Sequence, residues 1–134
     1  MEMQQNVELV RLAVEAYQRR DAGALHAITH EECELFTLTE GEMEGEPFRG
    51  HAGIDEWLEH ELDPWEEFRV EPLEINAVGG RVLMRSRVTA RGKGSSVELD
   101  AETGTVFEFR DGKIVRMRAY LDWNRALEAV GLSE

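Results

Sequence analysis

The residues in this sequence that could carry chemistry are few and scattered. Asp122 closes the stretch RMRAYLD and precedes WNRALEAVGL, where a strand gives way to a helix. A carboxylate there either moves protons or accepts hydrogen bonds from the first free helix N–H groups, an N-cap worth about 1 kcal/mol. Its strand parity, opposite to that of Met117 and Ala119, predicts the cap. His26 and His30 are four apart, a spacing that can seat two metal ligands on one helix turn. No third ligand accompanies them, so solvent-facing histidines are expected. His51, in RGHAGI at a helix start, is expected to organise the turn. Cys33 lacks an activating neighbour and reads as a small buried residue. Glu42, Glu44 and Glu46 lie in the polar loop TEGEMEGEP, a solvated charge run or, alternatively, a pocket lid. Tyr17 and Trp57 carry polar tips on apolar faces, and lining a pocket or packing a core are equally open to them. These residues define no catalytic group, no metal site and no cofactor site.

Composition limits the classes of function. The 134 residues suit one domain, residues 1–134, with no linker, tail or internal repeat. A net charge of −13 argues against a nucleic-acid partner, because phosphate backbones repel such a surface. No apolar run approaches the ~20 residues of a membrane span, and the start MEMQQNVELV lacks the basic and apolar regions of a signal peptide. With a single cysteine there is no internal disulfide, which fits a cytoplasmic location.

The elements that must position a site follow from periodicity. Val7, Val10, Val14 and Tyr17 recur at helical spacing, widened by Leu9, Ala13 and Ala16, with Asn6 as the expected cap. Asp21 can cap a short second helix through Leu25 and Ile28. GHAGIDEWLEHEL predicts a third helix, with Ile54, Trp57, Leu58 and Leu62 on one side and Pro64 as its stop. FRVEPLEINAV alternates, changes phase near Pro72 and reaches a turn at Gly79–Gly80. RVLMRSRVTA and VELDAETGTVFEF flank RGKGSS as a hairpin, and RDGK turns into IVRMRAYLD. A final helix carries Trp123, Ala126, Leu127 and Val130. The order predicts an α+β domain with its helices on one sheet face.

Alternation locates the interior. Val97, Leu99, Ala101, Thr103, Thr105, Phe107 and Phe109 point one way, against Glu98, Asp100, Glu102 and Glu108. Val82, Met84, Ser86, Val88 and Ala90 oppose Arg85, Arg87 and Arg91. Val115, Met117, Ala119 and Leu121 oppose Arg116, Arg118 and Tyr120. Acids of one strand thus face arginines of both neighbours, in cross-strand pairs worth about 0.2–1 kcal/mol each.

NVELVRLAVEAYQRRDAGAL, PFRGHAGIDEWLEHEL and VFEFRDGKIVRMRAYLDWNRALEAVGL together resemble the SnoaL-like branch of the nuclear transport factor 2-like superfamily. The resemblance implies a cone-shaped α+β barrel: a curved, mostly antiparallel sheet wrapped around N-terminal helices, with a pocket open at one end and a short C-terminal helix. Members include polyketide cyclases, ketosteroid isomerases and limonene-epoxide hydrolases, so the fold alone does not name a reaction. The isomerases' general base and oxyanion-hole positions fall on Thr37, Ala13 and Thr105. The hydrolases' catalytic Asp falls on Ala119. Its Arg and Asp partners fall on Ser86 and Val88, or on Arg87 and Thr89 one residue along. The cyclases also use an Asp near Ala119. None of these mechanisms is inherited whole, and neither 3-ketosteroids nor terpene epoxides are expected to turn over.

The expected function is a pocket for a small lipophilic molecule, lined by Tyr17, Trp57, Ser86, Val97, Thr105, Phe107, Phe109 and Met117. The alternatives are an enzyme with a rearranged acid–base pair and a dimerising domain with a filled core. A pocket carboxylate would separate the first two, since acid–base catalysis needs a titrating group within reach of substrate. The resemblance also implies a homodimer, through an outer sheet face bearing Arg85, Arg87, Arg91, Arg116 and Arg118 among acids, with Val106, Ile114 and Tyr120 between them.

Overall fold

A computed structural model describes residues 2–37, 46–63, 65–94 and 98–132. Three helices come first or early: α1 (Glu2–Gln18), α2 (Ala22–Ile28) and α3 (Gly50–His60). The strands are β1 (Thr29–Phe36), β2 (Phe48–Arg49), β3 (Trp65–Val78), β4 (Arg81–Gly92), β5 (Glu98–Arg110) and β6 (Lys113–Tyr120), and α4 (Trp123–Ala129) ends the fold. They form one sheet in the order β2-β1-β6-β5-β4-β3. All pairs are antiparallel except β1 with β6. The sheet is curved but does not close, because β2 and β3 remain as edges. It is the expected α+β domain, a curved, mostly antiparallel sheet wrapped around N-terminal helices with a short C-terminal helix, and the sheet is not closed.

Local chemistry accounts for most boundaries. The α1 helix starts ahead of Asn6, since the Glu and Gln residues before it are good helix formers. Asp21 caps α2 by accepting from the Ala24 N–H at 3.0 Å, and Asp122 caps α4 by accepting from the Asn124 N–H at 2.9 Å. Asp122 therefore starts a helix. Between β5 and β6, Asp111 and Gly112 have φ values of 53° and 74°. Both central residues are left-handed, which is the turn that matches the twist of a two-residue hairpin. The phase change at Pro72 is a register shift between Pro72 and Glu74. Pro64 lies outside the described residues.

The concave face holds the main core, where Val10, Ala16, Leu25, Cys33, Leu35, Ile54, Trp57, Val82, Met84, Phe107 and Ile114 pack together. Alternation assigned these faces correctly along β4 and β5: Val82 pairs with Phe107, Met84 with Thr105 and Ser86 with Thr103. On β6 it failed in one place. A register shift between Glu108 and Phe109 sets Phe109 opposite Ile114, so Ile114 is buried in the core and is not an outer-face residue. A bulge exchanges the faces of the residues beyond it. Val115 is accordingly only half-buried, and Leu121, beyond the end of β6, is exposed.

The last helix departs from the one-face expectation. On the opposite sheet face, Leu83 and Val106 are buried with Ala126, Leu127 and Val130, and Tyr120 and Trp123 pack beside them. Gly104 makes this possible. A Cβ at that position would stand 2.3 Å from the Ala126 Cβ and 3.0 Å from the Trp123 ring. No side chain fits in that space, so the backbone itself is the docking surface. Arg81 Nη1 donates to the Ala129 carbonyl at 3.0 Å and secures the helix end. The rest of this face is ion-paired as the alternation implied: Arg85 with Glu102 and Glu74, Arg87 with Asp100, and Arg91 with Glu66 and Glu67. Hydrogen bonds from Arg87 hold the Asp100 carboxyl below its ordinary range.

Candidate functional site

Between the helices and the concave sheet lies a cavity of about 110 Å³. Its walls come from α1 (Ala13, Val14, Tyr17), α3 (Ile54, Trp57) and the inner parity of β3 to β6. Exposed Gln18 stands at its edge, and Thr29, Leu35 and Thr37 extend the lining along β1 and just past it.

Of the eight residues expected to line a pocket, Tyr17, Trp57, Ser86, Thr105, Phe107 and Met117 do line this cavity. Phe109 is half-buried and packs against the core from beyond the bulge, without lining the cavity. Val97 lies outside the described residues. The positions that align with catalysts of the resembled enzymes are all on the wall: Ala13, Thr37, Thr105, Ala119, Ser86 and Val88. Arg87 faces outward to Asp100, whereas Ser86 and Val88 line the cavity. At the wall positions that the resemblance matched to acids and bases, this chain carries small or apolar side chains.

One carboxylate does line it, and sequence reasoning missed it. Glu61 follows the last turn of α3 and folds back along it. Its Oε1 accepts from the Tyr17 hydroxyl at 2.8 Å and from Arg20 Nη1 at 2.7 Å, and its Oε2 accepts from the Trp57 indole N–H at 2.9 Å. The Tyr17 and Trp57 rings stack with centroids 5.3 Å apart, and the Arg20 guanidinium lies 4.6 Å from the Tyr17 centroid. Four residues from the ends of α1 and α3 form one hydrogen-bonded hub. The available signal was the spacing of Trp57 and Glu61, which places both on one helix face. In HELDP that signal is hidden inside an acidic run.

The hub is poorly suited to proton transfer. A carboxylate has about four lone-pair positions, and three are taken here by donors, one of them a cation. Burial, reinforced by the Glu61 charge, pushes the Tyr17 hydroxyl well above its ordinary value of 10.0. Tyr17 therefore remains a protonated donor. Arg20 holds a left-handed φ of 55°, rare for a side chain of its size, and its ion pair with Glu61 helps to keep it there.

The remaining candidates are dispersed. His26 Nε2 meets Asp55 at 2.8 Å, and its ring stacks on His51 at 4.6 Å. His51 Nε2 donates to the Thr29 carbonyl at 3.0 Å, tying the start of α3 to β1. His30 turns away toward Asp111, 3.7 Å distant, so the two histidines do not converge, and both are partnered rather than simply solvent-facing. Among the described residues no three His, Cys, Asp or Glu side chains gather as a metal site. Cys33 is buried, and burial pushes its thiol up, away from the reactive thiolate. Glu46 is exposed and pairs with Arg49, while Glu42 and Glu44 lie outside the described residues. No described helix is long and apolar enough to cross a membrane.

Comparison with curated proteins finds no match. Solved structures share the whole fold. A nuclear transport factor 2-like protein from Burkholderia xenovorans LB400 superposes with a TM-score of 0.72 at 25% identity, covering 96% of each chain. A ketosteroid isomerase-like fold from Catenulispora acidiphila DSM 44928, in complex with trimethylamine, gives 0.70 at 18% identity over 93% of each chain. An LEH-like epoxide hydrolase of M. tuberculosis gives 0.68 at 19% identity over 97% of this chain and 92% of its own. The family model described as the SnoaL-like domain matches residues 10–117. That span includes α1 from Val10, strands β3 to β5, β6 as far as Met117, and the Glu61 hub; this chain belongs to the SnoaL-like family.

Proposed function

We propose that this SnoaL-like domain holds a small lipophilic molecule in its cavity and does not transform it. The observation that carries this reading is the substitution of space for catalysts: Ala13, Ser86 and Ala119 line an apolar cavity at positions where related enzymes place acids and bases. Size narrows the occupant. An engineered apolar cavity of about 150 Å³ binds benzene, and pockets for drug-sized ligands run from about 300 Å³ upward. At about 110 Å³ this cavity suits a molecule of roughly one ring. The competing reading is an enzyme that uses Glu61, the one carboxylate on the wall among the described residues. Three donors on that carboxylate speak for a fixed structural group instead.

Benzene is a suitable probe. Isothermal titration should show one saturable site per chain. Ala119→Leu fills the space from the sheet side, and it should weaken benzene at least tenfold while leaving the melting temperature level or higher. Absence of saturable binding to the unmodified protein would refute the reading.

We also propose a homodimer through the ion-paired outer face, with narrower means than the sequence implied. Val106 is covered by α4 and Ile114 belongs to the core, so neither is free to supply apolar contact. What remains is an alternation of Arg85, Arg87 and Arg91 with acids that a second copy could pair with about a two-fold axis. Such contacts weaken with salt. Light scattering at tens of micromolar protein should give a dimer mass at low salt and a smaller mass at high salt; a monomer mass at low salt would end the idea.

A further inference from the structure

Ser86 is 1% exposed, lines the cavity from the middle of β4, and among the described residues its Oγ has no hydrogen-bond partner. A buried hydroxyl in that condition is unusual, because it has given up water without replacement. Its surroundings do not relieve it. Its strand partner on β5 is Thr103, also on the wall, and the neighbouring positions Met84 and Val88 are apolar. An unbranched serine reaches any of three staggered rotamers, so its hydroxyl can be aimed at an occupant of the adjacent space.

The charge balance of the wall points the same way. Among the described lining residues the ionisable side chains are Tyr17 and Glu61. Tyr17 is held neutral, and the Glu61 charge is already balanced by Arg20 at 2.7 Å. An anion would meet a carboxylate and no cation of its own, and a cation would compete with Arg20. From these observations, and resting on the binding reading above, we infer that the occupant is an uncharged molecule of about one ring whose single hydrogen-bonding oxygen is met by Ser86. Ser86 then sets specificity, selecting an alcohol, phenol or ketone over the bare hydrocarbon.

The test compares benzene, phenol and benzoate by titration on the unmodified protein, Ser86→Ala and Ser86→Cys. The quantity to read is the ratio of benzene to phenol dissociation constants, because the cost of desolvating the phenol hydroxyl is the same for every variant and cancels between them. That ratio should fall about fivefold in both variants, the size of one net hydrogen bond, with benzene itself bound undiminished. Ser86→Cys keeps the shape of the wall if the alanine variant folds poorly. Benzoate should bind the unmodified protein at least tenfold more weakly than phenol. A ratio unchanged by both substitutions, with benzene still bound, would overturn the role of Ser86 and leave the cavity reading standing. Benzoate binding as tightly as phenol would overturn the uncharged occupant. Failure of benzene and phenol alike to bind the unmodified protein would overturn both readings together.

Discussion

Phe107→Asp should leave the protein unfolded at room temperature. Phe107 is 3% exposed, sits against Val82 on β4 and Met117 on β6, and joins the sheet to the helices in the main core. Truncating such a ring to a small side chain costs about 3–5 kcal/mol, and a carboxylate left in its place must either neutralise or drag water inward, at a further cost of a few kcal/mol. The sum approaches the whole stability of a typical domain, about 5–15 kcal/mol. Met117→Asp should cost less, because Met117 is only half-buried and its substituent can tilt toward solvent. Circular dichroism melts of both variants beside Phe107→Leu would check the order. Equal, unperturbed melting of the two aspartate variants would mean that the concave and convex faces had been exchanged.

Glu61→Ala should produce the next largest loss, about 2–4 kcal/mol, although it deletes no apolar surface. The cost arises in what is left behind. The Trp57 indole N–H and the Tyr17 hydroxyl lose their acceptor, and Arg20 keeps an uncompensated charge over the Tyr17 ring. Glu61→Gln retains one acceptor oxygen and should fall between the two. Urea titration at pH 7 would separate the three proteins. The hub also predicts a pH response. Because the folded state holds the Tyr17 hydroxyl above its ordinary value of 10.0, the unfolded chain ionises first. This contribution is fully present below pH 10 and is lost as pH rises beyond it. Tyr17→Phe should remove that part of the alkaline loss. A Glu61→Ala variant as stable as the unmodified protein would show that the hub contributes nothing.

Period and parity were sufficient for much of this molecule. Four helices, the long strands, the RDGK hairpin and the Asp122 cap were all readable, because each depends on residues within a few positions of one another. The inner face of β4 and β5 was readable too, since a period of two leaves one face apolar wherever the register runs unbroken. The resemblance matched Ala13, Thr37, Ser86, Thr105 and Ala119 to catalytic positions of different enzymes, and these residues line one cavity.

Three features were decided only by the tertiary structure. The bulge at Glu108–Phe109 exchanges Val115 for Ile114 in the core, and an extra residue in one strand leaves no mark on the alternation until its partner strand is in place. The C-terminal helix lies on the convex face. Its apolar stripe would suit either face, and the choice rests on Leu83, Val106 and the bare backbone at Gly104 meeting in space. Glu61 becomes a hub only when the ends of α1 and α3 come together, bringing Tyr17 and Arg20 across 44 and 41 positions of sequence. Sequence pattern determined which faces are apolar, because that is a property of neighbours along the chain. Which polar groups satisfy one another inside, and which, like the Ser86 hydroxyl, are left unsatisfied, is a property of neighbours in space.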